Sequence, residues 1–170
     1  MKQYVRGLGS HLVDFAYDDE ITTVSSRTYE EKTVPLYSIT IPQIWDFRNI
    51  SGAGKRERIA RHVLETLFND NFGSVRPEWL KNDRTGRNLE IDCYNEKINL
   101  AVEVSGKQHF VFENNGFHKT REQFLDQVYR DRVKREKILA RGINFIVLPY
   151  TIPTDQIPTY LIEMIQRLNE

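Results

Sequence analysis

Apolar residues recur along the chain with two different periods, and the change of period separates predicted helices from predicted strands. After a glycine-rich break at residues 51–54, apolar side chains return every third or fourth position as far as Asn69, which predicts an amphipathic helix. Residues 88–94 instead alternate apolar and polar side chains, the period of a β-strand. Residues 98–104 form the most apolar strand-like run in the chain. A tight turn at Asn95-Glu96-Lys97 is expected to join the two strands.

The second half of the chain continues the same alternation of elements. A long, charged helix is predicted over residues 120–140, and Gly142 is suited to end it because glycine readily takes positive φ. An apolar strand over residues 143–149 and a final helix over residues 156–168 follow. The predicted order is helix, strand, strand, helix, strand, helix. This order indicates an α/β fold in which helices cover a central mixed β-sheet.

The first part of the chain has a different pattern. Residues 34–41 are rich in β-branched and aromatic side chains and predict a strand, and residues 21–24 predict a weaker one. No candidate chemistry lies in this segment. We therefore expect residues 1–48 to form an N-terminal arm or small β-rich subdomain, and residues 49–170 to form the functional core.

Composition narrows the class of protein. The chain has 170 residues, which fits one domain, with 24 basic and 24 acidic residues, so any surface that binds nucleic acid must be locally positive. The single cysteine, Cys93, excludes an intrachain disulfide and a multi-cysteine zinc site, and suits an intracellular, reducing compartment. No apolar stretch is long enough to span a bilayer, so a membrane is not an expected partner.

Glu103 is the most unusual residue in the pattern, because it interrupts the most apolar predicted strand. A buried carboxylate costs several kcal/mol unless it is paired or bound to a metal. The turn at residues 95–97 is expected to bring Asp92, on the polar face of the preceding strand, close to Glu103. Two carboxylates held together repel each other, and a divalent cation relieves that repulsion. Oxygen ligands of this kind suit Mg²⁺ or Mn²⁺.

These residues resemble the PD-(D/E)XK nuclease superfamily, in which an Asp precedes a Glu-x-Lys strand by about ten residues. The closer resemblance is to the branch related to very-short-patch-repair endonucleases, which includes predicted endonucleases of large DNA viruses and phages. The matching segments, in chain order, are Leu89-Glu90-Ile91-Asp92-Cys93-Tyr94, Ala101-Val102-Glu103-Val104-Ser105-Gly106-Lys107-Gln108-His109-Phe110, Arg130-Asp131-Arg132-Val133-Lys134, Gly142-Ile143 and Pro149-Tyr150.

The resemblance implies a restriction-endonuclease-like core, a mixed central β-sheet flanked by helices. It implies that Asp92 and Glu103 bind Mg²⁺ or Mn²⁺, with the carbonyl of Val104 as a further ligand. An early helix usually supplies another Glu, and Glu57 matches best, with Glu65 as its rival. The implied activity is metal-dependent hydrolysis of phosphodiester bonds, with DNA as the expected substrate, by a virus- or phage-encoded protein in the host cell.

One position departs from the superfamily pattern. Ser105 stands where the signature lysine is expected, and serine cannot supply a positive charge. In variants of the motif with Gly-x-Gln-His, the role passes to the glutamine, which here is Gln108. Lys107 and His109 are the alternatives, and His109 could transfer a proton because imidazole titrates near neutral pH. Asp131 also lies within the matching pattern.

Phosphate contacts are expected from basic residues near the proposed site: Lys55, Arg56, Arg58 and Lys107. Acidic residues are interspersed with them, so a solvated helix face is the competing interpretation. Three other functions stay open: a non-catalytic nucleic-acid-binding module, an RNA endonuclease, and a protein whose N-terminal segment recruits a partner. Standalone enzymes of this fold often pair to cut a duplex, so a homodimer is a further hypothesis.

Overall fold

The fold is an α/β sandwich in which helices cover both faces of a mixed β-sheet. A computed structural model describes residues 21–22, 37–109, 111–112 and 120–170. In chain order the elements are β1 (Ile21–Thr22), α1 (Lys55–Phe68), β2 (Gly73–Val75), β3 (Ile91–Asn95), β4 (Leu100–Val104), α2 (Arg121–Ala140), β5 (Asn144–Leu148) and α3 (Ile157–Arg167). The mixed α/β class predicted from the sequence is confirmed.

The sheet has the strand order β1-β5-β4-β3-β2. Strands β2, β3 and β4 are antiparallel neighbours, whereas β4 and β5 run parallel, with Glu103 opposite Val147. The two-residue strand β1 adds to the free edge of β5. Because parallel strands need a crossover connection, the chain between β4 and β5 contains the long helix α2.

The two faces of the sheet bury separate apolar clusters. Helices α1 and α3 pack on one face, where Leu64 and Leu161 join Val102 of β4. Helix α2 packs on the opposite face, where Ile138 joins Ala101 and Phe145. Since β4 is covered on both sides, its side chains are buried on both faces, which explains its almost continuous apolar sequence.

The turn between β3 and β4 is one residue longer than the sequence predicts. The expected strand start at Ile98 is wrong, because residues 96–99 form a turn and β4 begins at Leu100. Asn95 closes the turn by accepting the Ile98 N–H at 2.9 Å, and Asn99 takes a positive φ of 59°. Asparagine tolerates this conformation better than most residues. The strand predicted from residue 88 likewise begins only at Ile91.

The segment before α1 packs against the core through Tyr37. The Tyr37 ring is buried, and its hydroxyl accepts from the Asn144 amide at 2.6 Å and donates to the Asn99 carbonyl at 3.1 Å. Residues 37–41 are not a strand as predicted, because this stretch hydrogen-bonds to helix ends, including Thr40 N–H to the Leu67 carbonyl at 2.8 Å.

Other parts of the N-terminal prediction fall partly outside the described residues. The weaker strand predicted at residues 21–24 is confirmed at Ile21–Thr22, and residues 23–24 lie outside them. Residues 34–36 of the other predicted strand lie outside them as well. The boundary between residues 48 and 49 stays a prediction.

Candidate metal centre

Asp92 and Glu103 lie side by side on neighbouring antiparallel strands. Cys93 is opposite Val102 in the register, which makes Asp92 and Glu103 the next facing pair. One oxygen of the Asp92 carboxylate, Oδ2, accepts the Val104 N–H at 2.8 Å. Burial raises the pKa of Asp92, and the nearby charge of Glu57 adds to the shift, although the Val104 hydrogen bond opposes it. The structure thus brings together the two acids that the hairpin was expected to join.

Glu103 is the most deeply buried acid of the site, with 5% of its surface exposed. Its Oε1 accepts a hydrogen bond from the Lys134 ammonium, whereas its Oε2 is buried without a hydrogen-bond partner. Burial raises the pKa of Glu103 to about 7, and the charge of Asp92 adds to the shift, although Lys134 opposes it. A buried carboxylate oxygen without a donor is costly, and a cation is the kind of group that would satisfy it.

Lys134 is a site residue that the sequence reasoning missed. It extends from α2 across the face of the sheet, and its side chain is 11% exposed. Burial alone would lower the pKa of Lys134, but the charge and hydrogen bond of Glu103 raise it above the ordinary value. The ammonium therefore stays charged. The signal was present in the matching segment of residues 130–134, which includes Lys134, although no role was predicted for this lysine.

His109 belongs to a hydrogen-bonded group next to Lys134. Its Nδ1 lies 2.8 Å from Asp131 Oδ2, and the Gln127 amide donates to Asp131 Oδ1 at 2.8 Å. Burial opposes protonation, but the hydrogen bond and charge of Asp131 raise the pKa of His109 overall. Because Nδ1 faces Asp131, Nε2 is the ring nitrogen left for proton transfer. The structure thus joins His109 and Asp131, which the sequence indicated as separate candidates, by a hydrogen bond.

Ser105 and the other residues considered in place of the missing lysine differ in burial and in contacts. Ser105 is fully buried, and its hydroxyl has no hydrogen-bond partner. The Gln108 amide folds back over Gly106, leaving no room for a side chain there. Lys107 is exposed at the surface in the short 3₁₀ turn of residues 107–109.

Helix α1 contacts the site through Glu57 and Arg61. The Arg61 guanidinium donates to Glu57 Oε1 at 2.6 Å and to the Asp92 carbonyl at 2.9 Å. Arg61 thereby connects the first turn of α1 to β3. Glu65, the rival to Glu57, instead accepts the Phe72 N–H at 3.1 Å.

Two of the three predicted phosphate-binding residues of α1 already donate hydrogen bonds to main-chain carbonyls of the protein. Arg56 donates to the carbonyls of Ile152 and Pro149, at 2.5 and 2.7 Å, and Arg58 donates to the carbonyl of Ser51. Lys55 is exposed at the first position of the helix.

The donor set suits a hard cation with few protein ligands. The described residues contain no cluster of three or more His, Cys, Asp or Glu side chains arranged to hold a metal ion. The carboxylates of Asp92 and Glu103 are hard oxygen donors, the type of ligand that Mg²⁺ prefers. Among the described helices, none is both long and apolar enough to cross a membrane.

Comparisons with known proteins identify viral relatives. The chain is 44% identical over 108 residues to uncharacterized protein 033L of Invertebrate iridescent virus 3, covering 64% of this chain and 55% of that protein. It is 35% identical over 142 residues to uncharacterized protein 307L of Invertebrate iridescent virus 6, covering 77% and 71%. Uncharacterized protein 094L of Frog virus 3 is 34% identical over 99 residues, covering 58% and 63%.

These relatives come from large DNA viruses, which is consistent with the viral origin that the sequence suggested. The chain spans little more than half the length of protein 033L. No family model and no solved structure matches the chain.

Proposed function

We propose that the chain, which belongs to the same family as uncharacterized protein 307L of Invertebrate iridescent virus 6, is a metal-dependent endonuclease, and the geometry around Glu103 supports this proposal. Its substrate would be a phosphodiester bond, with DNA as the expected nucleic acid. The α/β sandwich would then be a restriction-endonuclease-like core. The activity of the whole protein is part of the proposal.

The observation that carries the proposal is the burial of the Glu103 carboxylate with one oxygen unpaired. Its carboxylate is buried in the middle of an apolar strand, faces Asp92, and keeps one oxygen without a donor. A purely structural acid at this position would be expected to have both oxygens paired, because burying an unsatisfied charged group is strongly destabilising. A binding site for a divalent cation would explain why this oxygen has no hydrogen-bond donor.

The ligands would be the carboxylates of Asp92 and Glu103 and the carbonyl of Val104. When bound there, Mg²⁺ or Mn²⁺ would lower the pKa of a bound water and stabilise negative charge on the phosphate. Lys134 holds a second positive charge at Glu103, where it can offset charge that develops on the scissile phosphate. It would thereby take the role of the lysine absent at position 105.

His109 is the proposed proton carrier. Asp131 holds its Nδ1, which orients the ring and leaves Nε2 to accept or donate a proton at the reacting oxygen. Gln127 in turn fixes the Asp131 carboxylate, so the imidazole is held by two residues of α2. Such an arrangement favours proton transfer near neutral pH.

A second candidate function is nucleic-acid binding without cleavage. It is favoured by the direct ion pair between Lys134 and Glu103, because the ammonium occupies one of the carboxylate oxygens that a cation would use. Calorimetric titration with Mn²⁺ separates the two functions. Binding that disappears in Asp92→Asn supports the nuclease, and a wild-type protein that binds no Mn²⁺ supports the binding module.

The decisive experiment is a cleavage panel on duplex DNA, single-stranded DNA and single-stranded RNA, each with Mg²⁺, Mn²⁺ or a chelator. We expect cleavage that requires the metal, and a loss of about 10²–10³-fold in Asp92→Asn and Glu103→Gln, as when one preorganised catalytic group is removed. The RNA arm decides whether the enzyme is instead an RNA endonuclease.

Glu96→Gln serves as the matched control, because Glu96 is an exposed acid in the turn of the same hairpin. It should cut at the wild-type rate. Cleavage that persists in the chelator, or in purified Asp92→Asn, contradicts the proposal.

A further inference from the structure

A cavity of about 220 Å³ opens beside the proposed reaction centre, along one face of α2. His109 and Asp131, which belong to the candidate site, form one part of its wall. Val128 and Leu139 provide apolar lining, and two arginines, Arg132 and Arg135, lie along it. Glu136 completes the lining, so the cavity joins the proposed proton-carrying group to apolar side chains and to two arginines that are flanked by two acids in the sequence.

We propose that this cavity is a subsite for a single nucleotide of the substrate strand, next to the scissile phosphate. The base would lie against Val128 beside the His109 ring, and the phosphate would be bound by Arg132 and Arg135, farther along α2 toward Leu139. The inference rests on the proposed function, since it names how that site would hold its substrate.

The size and lining of the cavity favour one nucleotide over a larger ligand. Ligand pockets usually measure about 300–1,000 Å³, so a cavity of about 220 Å³ accommodates no more than one nucleotide. Val128 is buried in the core side of α2 and gives the cavity a fixed apolar surface. A flat, partly apolar base is suited to such a surface, and His109 adds an aromatic ring at the edge.

The charges of the cavity favour a phosphate at its rim. Arg132 contacts Glu136 at 3.7 Å, and the two side chains are 57% and 67% exposed. An exposed ion pair of this length contributes little, so a phosphate that offers two oxygens to the guanidinium can replace it. Asp131, the other acid of the lining, is already paired with His109 and Gln127.

Continuity with the reaction centre gives the subsite its function. Asp131 lies one helical turn before Lys134 on α2, and its charge acts on Glu103 as well as on His109. A nucleotide in the cavity would therefore place its neighbouring phosphate near His109, which fixes the strand relative to the carboxylates.

The test measures binding, without cleavage, by NMR on the ¹⁵N-labelled full chain in a chelating buffer. The probes are thymidine 5′-monophosphate, thymidine and inorganic phosphate, followed through the signals of His109 and Val128. We expect saturable binding of the monophosphate, with thymidine and phosphate each at least about tenfold weaker. Arg132→Gln/Arg135→Gln should weaken the monophosphate about tenfold, the scale of one lost charge-assisted hydrogen bond.

The matched control is Arg87→Gln/Arg121→Gln, which removes the same charge from exposed positions outside the cavity lining. It should bind the monophosphate like the wild type. Equal binding of inorganic phosphate and monophosphate, equal weakening in both double variants, or displacement of the monophosphate by an Asp/Glu-rich peptide at equal concentration would each overturn the subsite. Monophosphate binding in a protein that cuts nothing would support the subsite while the nuclease proposal fails.

Discussion

At the scale of single residues, the ionisation of Glu103 is the property that most strongly affects the site. The carboxyl group has a pKa of about 7 in the folded protein, against an ordinary value of 4.5, because burial disfavours its charged form. Between these two values the folded state retains a proton that the unfolded chain releases. The stabilisation from the protonated acid is therefore fully present below about pH 4.5 and is lost as the pH rises through about 7.

We predict that, without metal, the free energy of unfolding of the wild type falls by roughly 1–3 kcal/mol between pH 5 and pH 8, relative to Glu103→Gln. Urea denaturation of both proteins at the two pH values measures this difference. His109, whose pKa is also raised, changes stability in the same direction in both proteins, and the larger part of this change, which comes from Asp131, cancels in the comparison. Saturating Mg²⁺ should stabilise the wild type more at pH 8 than at pH 5. Parallel pH profiles of the two proteins would refute the prediction.

At the scale of elements, the notable feature is that the cation paired with Glu103 comes from a helix, whereas the nuclease motif that the sequence resembles places a lysine two residues farther along the strand. Ser105 follows Glu103 by two residues and is fully buried, so it presents only a small side chain on that face of the sheet. Lys134 of α2 reaches Glu103 from the layer above. The small side chain at position 105 is therefore compatible with a lysine that reaches Glu103 from the covering helix.

We predict that Lys134→Met lowers the cleavage rate by about 10²–10³-fold, because the charge facing Glu103 is lost. Adding Ser105→Lys in that background should restore at least tenfold, since a lysine two residues after Glu103 can reach the same carboxylates. Steady-state cleavage assays measure both effects, and circular dichroism checks that each variant is folded. Lys137→Met, on the same helix but paired with Asp83, is the control and should stay active. Full activity in Lys134→Met would rule out the assigned role.

The sequence predicted the elements better than the contacts between them. The bounds of α2 were obtained to within a residue, since Thr120 caps the helix and Gly142 follows its end. Asp92 and Glu103 were paired correctly because a short hairpin leaves little freedom. Lys134 was missed because it lies 31 residues from Glu103, and which turn of α2 faces the acid depends on how the helix packs.

At the scale of the whole molecule, residues 37–48 contact both the sheet and the residues that follow α3. Besides its hydroxyl contacts, the Tyr37 main chain exchanges two hydrogen bonds with the Asn169 side chain, at 2.6 and 2.9 Å. Ile39, Trp45 and Phe47 pack against the same core cluster. In the sequence, this stretch is set apart from the functional core because no candidate chemistry lies in it. Its role depends on contacts with residues more than 100 positions away.

We predict that Tyr37→Phe lowers the free energy of unfolding by about 1–3 kcal/mol, because the Asn144 amide, only 2% exposed, loses its partner. Deleting residues 1–48 should destabilise the protein much further, since Tyr37 leaves the core altogether. Thermal and urea unfolding measure both changes, with Tyr94→Phe, a half-buried tyrosine of β3, as the control. A deletion variant as stable as the full chain would show instead that the segment is a dispensable arm.

The crossover between β4 and β5 has a consequence for when the protein can act during its synthesis. Lys134 and Asp131 lie in the very segment that connects the two parallel strands, so their positions over Glu103 depend on α2 docking after β5 has formed. A chain still on the ribosome that ends before residue 148 would carry both acids without a fixed cation opposite them. The proposed activity should therefore emerge only after β5 has been released and the crossover has closed.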